Sequence, residues 1–220
     1  MHVAGGTYDY AGSLSGEATP RFAVLYNPVN SGEAGNPLTF YATSTVTLTA
    51  GNLAAPVIGA SGVDYVRWWG PFFVDETTCL QTPDTGPVVL ANTTGSMVRG
   101  CRIQGIWVDY NDNNPGVRLE NASNCTVSYN TIDGFRKSQV DGSPNHNGCG
   151  IQLYACVDCL VERNTITDCH SGVFFKDLNG TGLQSGVLVA TTASMAATRG
   201  SPTPRCRPAR PGARTPSCRT

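Results

Sequence analysis

The feature that most constrains the fold of this chain is an internal repeat. Residues 116–135 (GVRLENASNCTVSYNTIDGF) overlay residues 150–169 (GIQLYACVDCLVERNTITDC) at an offset of 34, with apolar residues meeting apolar residues. A third start, at Gly172, follows Gly150 by 22 residues. The basic unit is therefore 22 residues long.

The longer intervals contain insertions at one point of the repeat. Residues 88–105 overlay 117–134 at an offset of 29, which is one unit plus 7 residues, and the offset of 34 is one unit plus 12. Both sets of extra residues come after the matching isoleucines Ile103 and Ile132. A unit this short cannot hold two helices or bury an apolar face alone, so the repeat predicts a solenoid.

The pattern inside each unit is typical of β-strands. Val117 and Leu119 alternate with Arg118 and Glu120, which places apolar and polar side chains on opposite faces. Equivalent strands of successive units would stack in parallel at ~4.8 Å. Parallel connections are nearly always right-handed. The sequence therefore predicts an all-β fold, a right-handed parallel β-helix with about 22 residues per coil.

Composition divides the chain into a body and a tail. All 16 acidic residues and 9 of the 15 basic ones lie at or before Asp177, so the body has a formal charge of −7, which argues against nucleic acid as a partner. No apolar run is long enough for a membrane span. We expect a β-helix domain at 1–180, truncated at both ends, and a disordered or frameshifted Arg/Pro/Ala-rich tail at 186–220. The fold should not continue beyond about Gly186.

Several motifs in the body resemble those of the pectate-lyase-like superfamily of right-handed parallel β-helix proteins. The resemblance covers about residues 1–180 and implies the fold, but it is unspecific for activity, because the superfamily includes lyases, glycoside hydrolases, epimerases, tail spikes and surface proteins. The motifs are V-x-x-G-T-Y (3–8), N-P-L-T-F-Y-A (36–42), D-Y-V-R-W-W-G (64–70), N-C-T-V (124–127) and N-T-I (130–132 and 164–166).

Two columns of the repeat indicate scaffold roles. Cys101, Asn130 and Asn164 share one column, where asparagine tolerates a left-handed backbone and its amide can bond to the next coil, so we expect an asparagine ladder. Cys125 stacks over Cys159 at a distance that permits a disulfide, although unbridged burial is the favoured reading. The single CxxC pair, Cys156–Cys159, is weak evidence for zinc or redox chemistry.

The insertions predict where a ligand would bind. Because both leave the repeat at equivalent positions, they should project side by side, near Asp168 and His170 in the next coil. Beside them, outward side chains of the following strands would form an exposed strip with the composition of a carbohydrate site. The alternative is an ordinary solvated sheet. The predicted substrate-binding residues are Arg118, Gln152, Tyr154, Phe174, Lys176 and Trp107.

The resemblance also suggests catalytic roles. If the chain is a lyase acting on uronic acids, it needs a base for the C5 proton and a cation or Ca²⁺ to neutralise the carboxylate. β-Helix lyases commonly use Lys or Arg as the base, which points to Lys137, with Arg136 or Arg118 on the carboxylate. His146 is a further acid–base candidate, and ordinary surface charge is the alternative for each residue.

Calcium is the one cofactor with a sequence pattern. Asp109, Asn111, Asn113 and Glu120 stand at positions 1, 3, 5 and 12 of a calcium-loop pattern, with Asp112 as a possible extra ligand. The sixth position is Asn in place of Gly, and Glu120 falls on a predicted strand. No cofactor is therefore certain, and Ca²⁺ stays possible.

These observations predict a protein that binds or cleaves an extracellular polysaccharide, located outside the cell or in the periplasm. A uronic-acid lyase acting by β-elimination is the most specific hypothesis. A non-catalytic surface, adhesin or tail-spike-like β-helix is one alternative. A glycoside hydrolase is another, although it needs converging carboxylates and the N-T-D, D-D and G-H-G patterns are absent.

Overall fold

The computed structural model describes residues 1–9, 24–50, 55–76, 85–105, 114–136, 148–176 and 184–196, and every regular element in these ranges is a β-strand. The strands form three parallel sheets. Sheet A contains β2 (Leu38–Tyr41), β5 (Val66–Trp69), β8 (Met97–Arg99), β11 (Thr126–Ser128), β14 (Leu160–Glu162) and β17 (Leu188–Ala190). Sheet B contains β1 (Gly6–Asp9), β3 (Val46–Thr49), β6 (Phe72–Asp75), β9 (Arg102–Gln104), β12 (Thr131–Asp133), β15 (Thr165–Cys169) and β18 (Ala193–Ala196). Sheet C contains β4 (Ile58–Ser61), β7 (Val88–Thr94), β10 (Pro115–Ser123), β13 (Cys149–Tyr154) and β16 (Ser171–Lys176).

From β4 onward the chain visits sheets C, A and B in strict rotation, so each coil adds one strand to every sheet. The pairing register reproduces the sequence repeat: Val88 pairs with Val117, Val117 with Ile151, and Ile151 with Val173, at offsets of 29, 34 and 22. The predicted parallel β-helix and its unit are therefore confirmed.

The core is a stack of inward side chains from all three sheets. Leu119 and Leu153 of sheet C, Val127 of sheet A and Ile132 of sheet B are all fully buried. Burying an aliphatic side chain of this size contributes roughly 1.5–3 kcal/mol, and each coil repeats the contribution on top of the previous one. This repetition explains why the coils are stable only as a stack.

Glycine is the second residue of β10 and β13 because the core approaches the backbone there. A Cβ on Gly116 would lie 2.4 Å from Cγ2 of Ile132, and one on Gly150 would lie 2.5 Å from Cγ2 of Ile166. Both distances are shorter than a carbon–carbon contact allows. The recurring G-V/I-x-L pattern thus reflects the packing of the inward isoleucines of sheet B.

The corners are built from single residues in the left-handed region. The turn from sheet A to sheet B uses Gly100, Tyr129 and Arg163 in successive coils, with φ values of 73°, 57° and 52°. Left-handed backbone costs a non-glycine residue about 1–2 kcal/mol, so each such corner needs compensating bonds. The asparagine ladder, which starts one residue later in each coil, supplies some of them.

The asparagine ladder is confirmed in its bonding and corrected in its backbone. Asn130 Oδ1 accepts from the Cys101 backbone N–H at 2.9 Å, and Asn130 Nδ2 donates to Val98 O and to Asn164 Oδ1 at 3.1 and 3.0 Å. The expected left-handed residue is the preceding one, Tyr129 or Arg163, and not the asparagine. The ladder therefore holds the strained corner from the adjacent position.

The cysteines Cys101, Cys125, Cys149, Cys156, Cys159 and Cys169 are buried and free. The stacked pair Cys125 and Cys159 is unbridged, in agreement with the favoured reading. Burial raises the pKa of Cys101 and of Cys169 to about 12. These two thiols are therefore protonated at neutral pH and act as small apolar side chains.

The last strands lie beyond the predicted end of the fold. β17 pairs with β14 and β18 pairs with β15, so strand pairing continues past Gly186 to Ala196. That the packed fold ends near Gly186 stays a prediction. Leu188 and Val189 are 58% and 40% exposed, so the added coil is poorly buried. The rest of the predicted tail, 197–220, lies outside the described residues. Within the described ranges, no helix is long and apolar enough to cross a membrane.

Candidate functional site

The corner between sheets B and C receives the insertions, as predicted. The chain passes from β9 to β10 and from β12 to β13 at this corner, and the extra residues lie in these two connections. Residues 106–113 and 137–147, which make up most of the two insertions, fall outside the described ranges. The roles assigned to them stay predictions, namely those of Lys137 and His146 in catalysis, Trp107 in substrate binding, and Asp109, Asn111 and Asn113 in calcium binding.

Arg136 marks the described edge of this corner. Its Nε lies 3.4 Å from Oδ1 of Asp168, and the two side chains are 22% and 35% exposed. The backbone N–H of His170 donates to Phe135 O at 3.2 Å, which holds the exposed His170 beside Arg136 in the adjacent coil. Asp168 takes a left-handed φ of 50° at a bulge within β15. The corner thus presents a cation, a carboxylate and an imidazole from consecutive coils.

The predicted columns on the outer face of sheet C have the expected register. Arg118 pairs with Gln152 and Gln152 with Phe174, while Tyr154 pairs with Lys176. Their environment differs from the predicted exposed strip, because four of these outward side chains are buried. Relative exposure is 1% for Arg118, 0% for Gln152 and 5% for Tyr154, and the fourth, Glu120, is 4% exposed.

These side chains form a buried polar network instead. Arg118 donates from Nε and Nη2 to Oε2 of Glu120 at 2.8 and 2.5 Å and from Nη1 to Oε1 of Gln152 at 3.1 Å. Its guanidinium also lies over the Tyr154 ring, 4.2 Å from the centroid. Lys176 Nζ is 5.8 Å from the same centroid. A buried charge is tolerated only when it is paired and hydrogen-bonded, and Glu120 provides that pairing.

The network changes two assignments. Because Arg118 is neutralised by Glu120 and buried, Arg136 is the described arginine better placed to contact a substrate carboxylate. Glu120, the expected position-12 calcium ligand, is engaged by Arg118. Among the described residues no group of three or more His, Cys, Asp or Glu side chains could hold a metal ion. Calcium binding by the three predicted ligands of the 106–113 segment stays a prediction.

A buried acid at the same corner was missed. Glu76 follows β6 and is 1% exposed, and neither carboxyl oxygen has a hydrogen-bond partner within the described part of the chain. Burial raises the pKa of Glu76 to about 8, Asp75 adds to the rise, and the Asn114 side chain opposes it only in part. Extending the repeat back by one coil would have placed Glu76 where the insertions leave, because Asp75 pairs with Gln104.

An apolar hollow lies elsewhere. It has a volume of about 380 Å³ and opens at the first coil, at the other end of the stack from Arg136. Its lining includes Val3, Leu25, Phe40 and Leu48, and none of the described side chains that line it is charged. The polar corner is therefore the better candidate for chemistry.

Comparison with known proteins agrees with this architecture. Residues 85–189 match the family model described as a right handed beta helix region. No curated protein matches the chain. The matched range contains the coils from β7 to β17, and strands on both sides of it continue the same sheets. The chain therefore folds as a right-handed parallel β-helix, and residues 85–189 are similar to the right handed beta helix family.

Proposed function

We propose that the chain binds an extracellular acidic polysaccharide at the corner between sheets B and C and cleaves it there by β-elimination. The observation that supports this most is the half-buried Arg136 beside Asp168 and His170, at the point where both insertions leave the scaffold. A β-helix supplies a rigid base for such loops. The pectate-lyase-like resemblance and the location outside the cytoplasm remain part of this proposal.

In the proposed reaction, Arg136 pairs with the uronate carboxylate and stabilises the negative charge that develops on it. Lys137, as a neutral amine, removes the proton at C5. The bond from C4 to the bridging oxygen then breaks, a double bond forms between C4 and C5, and the leaving oxygen takes a proton from an acid such as His146 or water. One sugar chain becomes two, one of them with an unsaturated end.

The test uses the full-length chain with alginate, pectate and glycosaminoglycans as substrates. The unsaturated product absorbs in the ultraviolet, so its appearance reports cleavage directly. Lys137→Ala should abolish the signal while His146→Ala keeps part of it. Arg136→Gln should raise KM more than Arg136→Lys, which retains the charge. Arg67→Gln, on the outer face of sheet A, serves as the control and should cleave like the parent.

Three outcomes would contradict the proposal. Full activity in Lys137→Ala together with loss of activity in His146→Ala would mean that His146, not Lys137, is the base. New reducing ends without an unsaturated product would indicate hydrolysis. Cleavage of neutral polysaccharides at the same rate would remove the role of Arg136.

A non-catalytic β-helix surface is the second candidate. It is favoured by the burial and neutralisation of Arg118, because the sheet C face does not offer the open cationic strip that a lyase groove would use. Polysaccharide binding without any product from the parent chain would support this candidate over the lyase.

A further inference from the structure

A row of aromatic and arginine side chains, all exposed except the half-buried Arg99, runs along the corner between sheets A and B. We call it the aromatic–arginine ladder: Tyr41, Trp69, Arg99, Tyr129 and Arg163. Tyr41 pairs with Trp69 and Trp69 with Arg99 in adjacent strands of sheet A. Tyr129 and Arg163 occupy the left-handed turn position of the next two coils. The ladder therefore places one member on each of five consecutive coils.

Contacts within the ladder hold its arginines in place. The guanidinium carbon of Arg99 lies 4.2 Å from the Tyr129 centroid and 5.6 Å from that of Trp69. Arg163 lies 5.2 Å from the Tyr129 centroid and donates from Nη1 to the Tyr129 hydroxyl. A guanidinium packed on a ring face keeps its N–H groups at its edge, where they can reach a ligand.

The ladder is open to solvent and carries excess positive charge. Trp69 is 50% exposed, Tyr129 is 40% exposed and the side chain of Arg163 is 57% exposed. Three arginines lie in the described positions at and beside this turn: Arg99, Arg163 and, on sheet B, Arg102. The one acidic residue in these described positions is Glu162. This local excess occurs in a body whose formal charge is −7.

The geometry suits a long anionic chain. With coils ~4.8 Å apart, Arg99 and Arg163 are about 9.6 Å apart along the axis, and the whole ladder spans about 19 Å. An extended polymer with regularly repeated carboxylates or sulfates can meet two preorganised guanidinium forks at once. Nucleic acid draws most of its affinity from many phosphate contacts and would need more cations than the three arginines described at this corner.

We propose that the aromatic–arginine ladder is a binding surface for an extended anionic polysaccharide, lying along the solenoid axis on a different edge from the B–C corner. Binding here involves no bond cleavage and does not require Lys137 or Arg136. The ladder would hold the polymer on the protein whether or not the B–C corner cleaves it.

The test measures binding of the full-length chain by Trp fluorescence and by affinity electrophoresis. The probes are polygalacturonate for carboxylates, dextran sulfate for sulfates, neutral dextran, and poly(dT). The parent should bind at least one of the two anionic polysaccharides, more weakly as salt rises, and should not bind dextran. The double variant Arg99→Gln/Arg163→Gln should bind roughly 5- to 30-fold more weakly.

The matched control is Arg67→Gln, which removes the same charge type from sheet A outside the ladder. It should bind within about two-fold of the parent. Arg99→Lys/Arg163→Lys should recover part of the affinity, because it restores charge but not the planar fork. Unchanged circular dichroism in all variants shows that they fold.

Equal affinity of Arg99→Gln/Arg163→Gln and the parent would overturn the inference, as would tighter binding of poly(dT) than of both anionic polysaccharides, or no binding at all. The outcome is separable from that of the proposed lyase. If Lys137→Ala forms no product but still binds the polysaccharide, the aromatic–arginine ladder proposal stands. If Arg99→Gln/Arg163→Gln binds like the parent and product still forms, only the ladder proposal is refuted.

Discussion

Glu76→Gln tests whether the buried Glu76 at the B–C corner is protonated in the folded protein. Glu76 is fully buried, and burial raises its pKa from 4.5 to about 8. The folded protein therefore keeps the Glu76 proton between these values, while the unfolded chain has already lost it. Because the folded state binds the extra proton, the free energy of unfolding must fall as the pH rises through this window.

The size of the effect follows from the pKa difference. Each unit corresponds to about 1.36 kcal/mol, so the change from 4.5 to about 8 lowers the free energy of unfolding by about 5 kcal/mol. The contribution is fully present below pH 4.5 and is lost above pH 8. Glutamine has nearly the same shape and no titration. Glu76→Gln should therefore match the parent within about 1 kcal/mol at pH 5 and exceed it by several kcal/mol at pH 8.

Urea unfolding followed by circular dichroism, at intervals from pH 4.5 to pH 8.5, measures both curves. Glu33→Gln is the matched control, because Glu33 is exposed and its variant should run parallel to the parent. Parallel curves for Glu76→Gln and the parent over the whole window would refute the reasoning, since they would mean that Glu76 is ionised in the folded protein.

Three further predictions concern the scaffold. Asn130→Ala removes the hydrogen bonds of the asparagine ladder and leaves a buried backbone N–H without its acceptor. Chemical denaturation should show that the free energy of unfolding falls by about 2–4 kcal/mol, against about 0.5 kcal/mol or less for the exposed control Thr131→Ala. Equal losses in the two variants would contradict the asparagine ladder. Glu120→Ala leaves the Arg118 charge buried and unpaired, so it should lower the free energy of unfolding by about 3–5 kcal/mol, whereas Arg118→Met/Glu120→Leu should lower it less. A Tm that rises with added Ca²⁺ in the parent but not in Glu120→Ala would instead support calcium binding by Glu120. Gly150→Ala forces a methyl group into the core and should cost roughly 1–3 kcal/mol by the same measurement, and an unchanged Tm would show that the backbone can move away.

Much of the scaffold could be predicted because a β-helix repeats one local rule. Stacking places equivalent residues in adjacent coils, so the overlay of 116–135 on 150–169 is already a contact map, and Val117 pairs with Ile151 as the overlay requires. The same periodicity located the insertions between sheets B and C. Periodicity did not predict β17 and β18, whose residues continue sheets A and B by backbone pairing.

The candidate site could be predicted only in part. Periodicity shows that Arg118 and Glu120 point away from the core, but it cannot show whether the outer face of the sheet is open. Exposure of that face depends on what covers it, and the structure buries both side chains in one ion pair. The half-buried Arg99 and the exposed Arg163 lie instead at the corner between sheets A and B, where both pack on Tyr129.

The sequence alone thus determined the coil, its register, its inward columns and the corner where loops leave, because these properties depend on neighbours at fixed sequence offsets. Only the tertiary structure decided which outward side chains are buried, which charges neutralise one another and which acid keeps its proton. Those outcomes depend on desolvation and on distances between side chains of different coils, and neither is encoded by the period of the repeat.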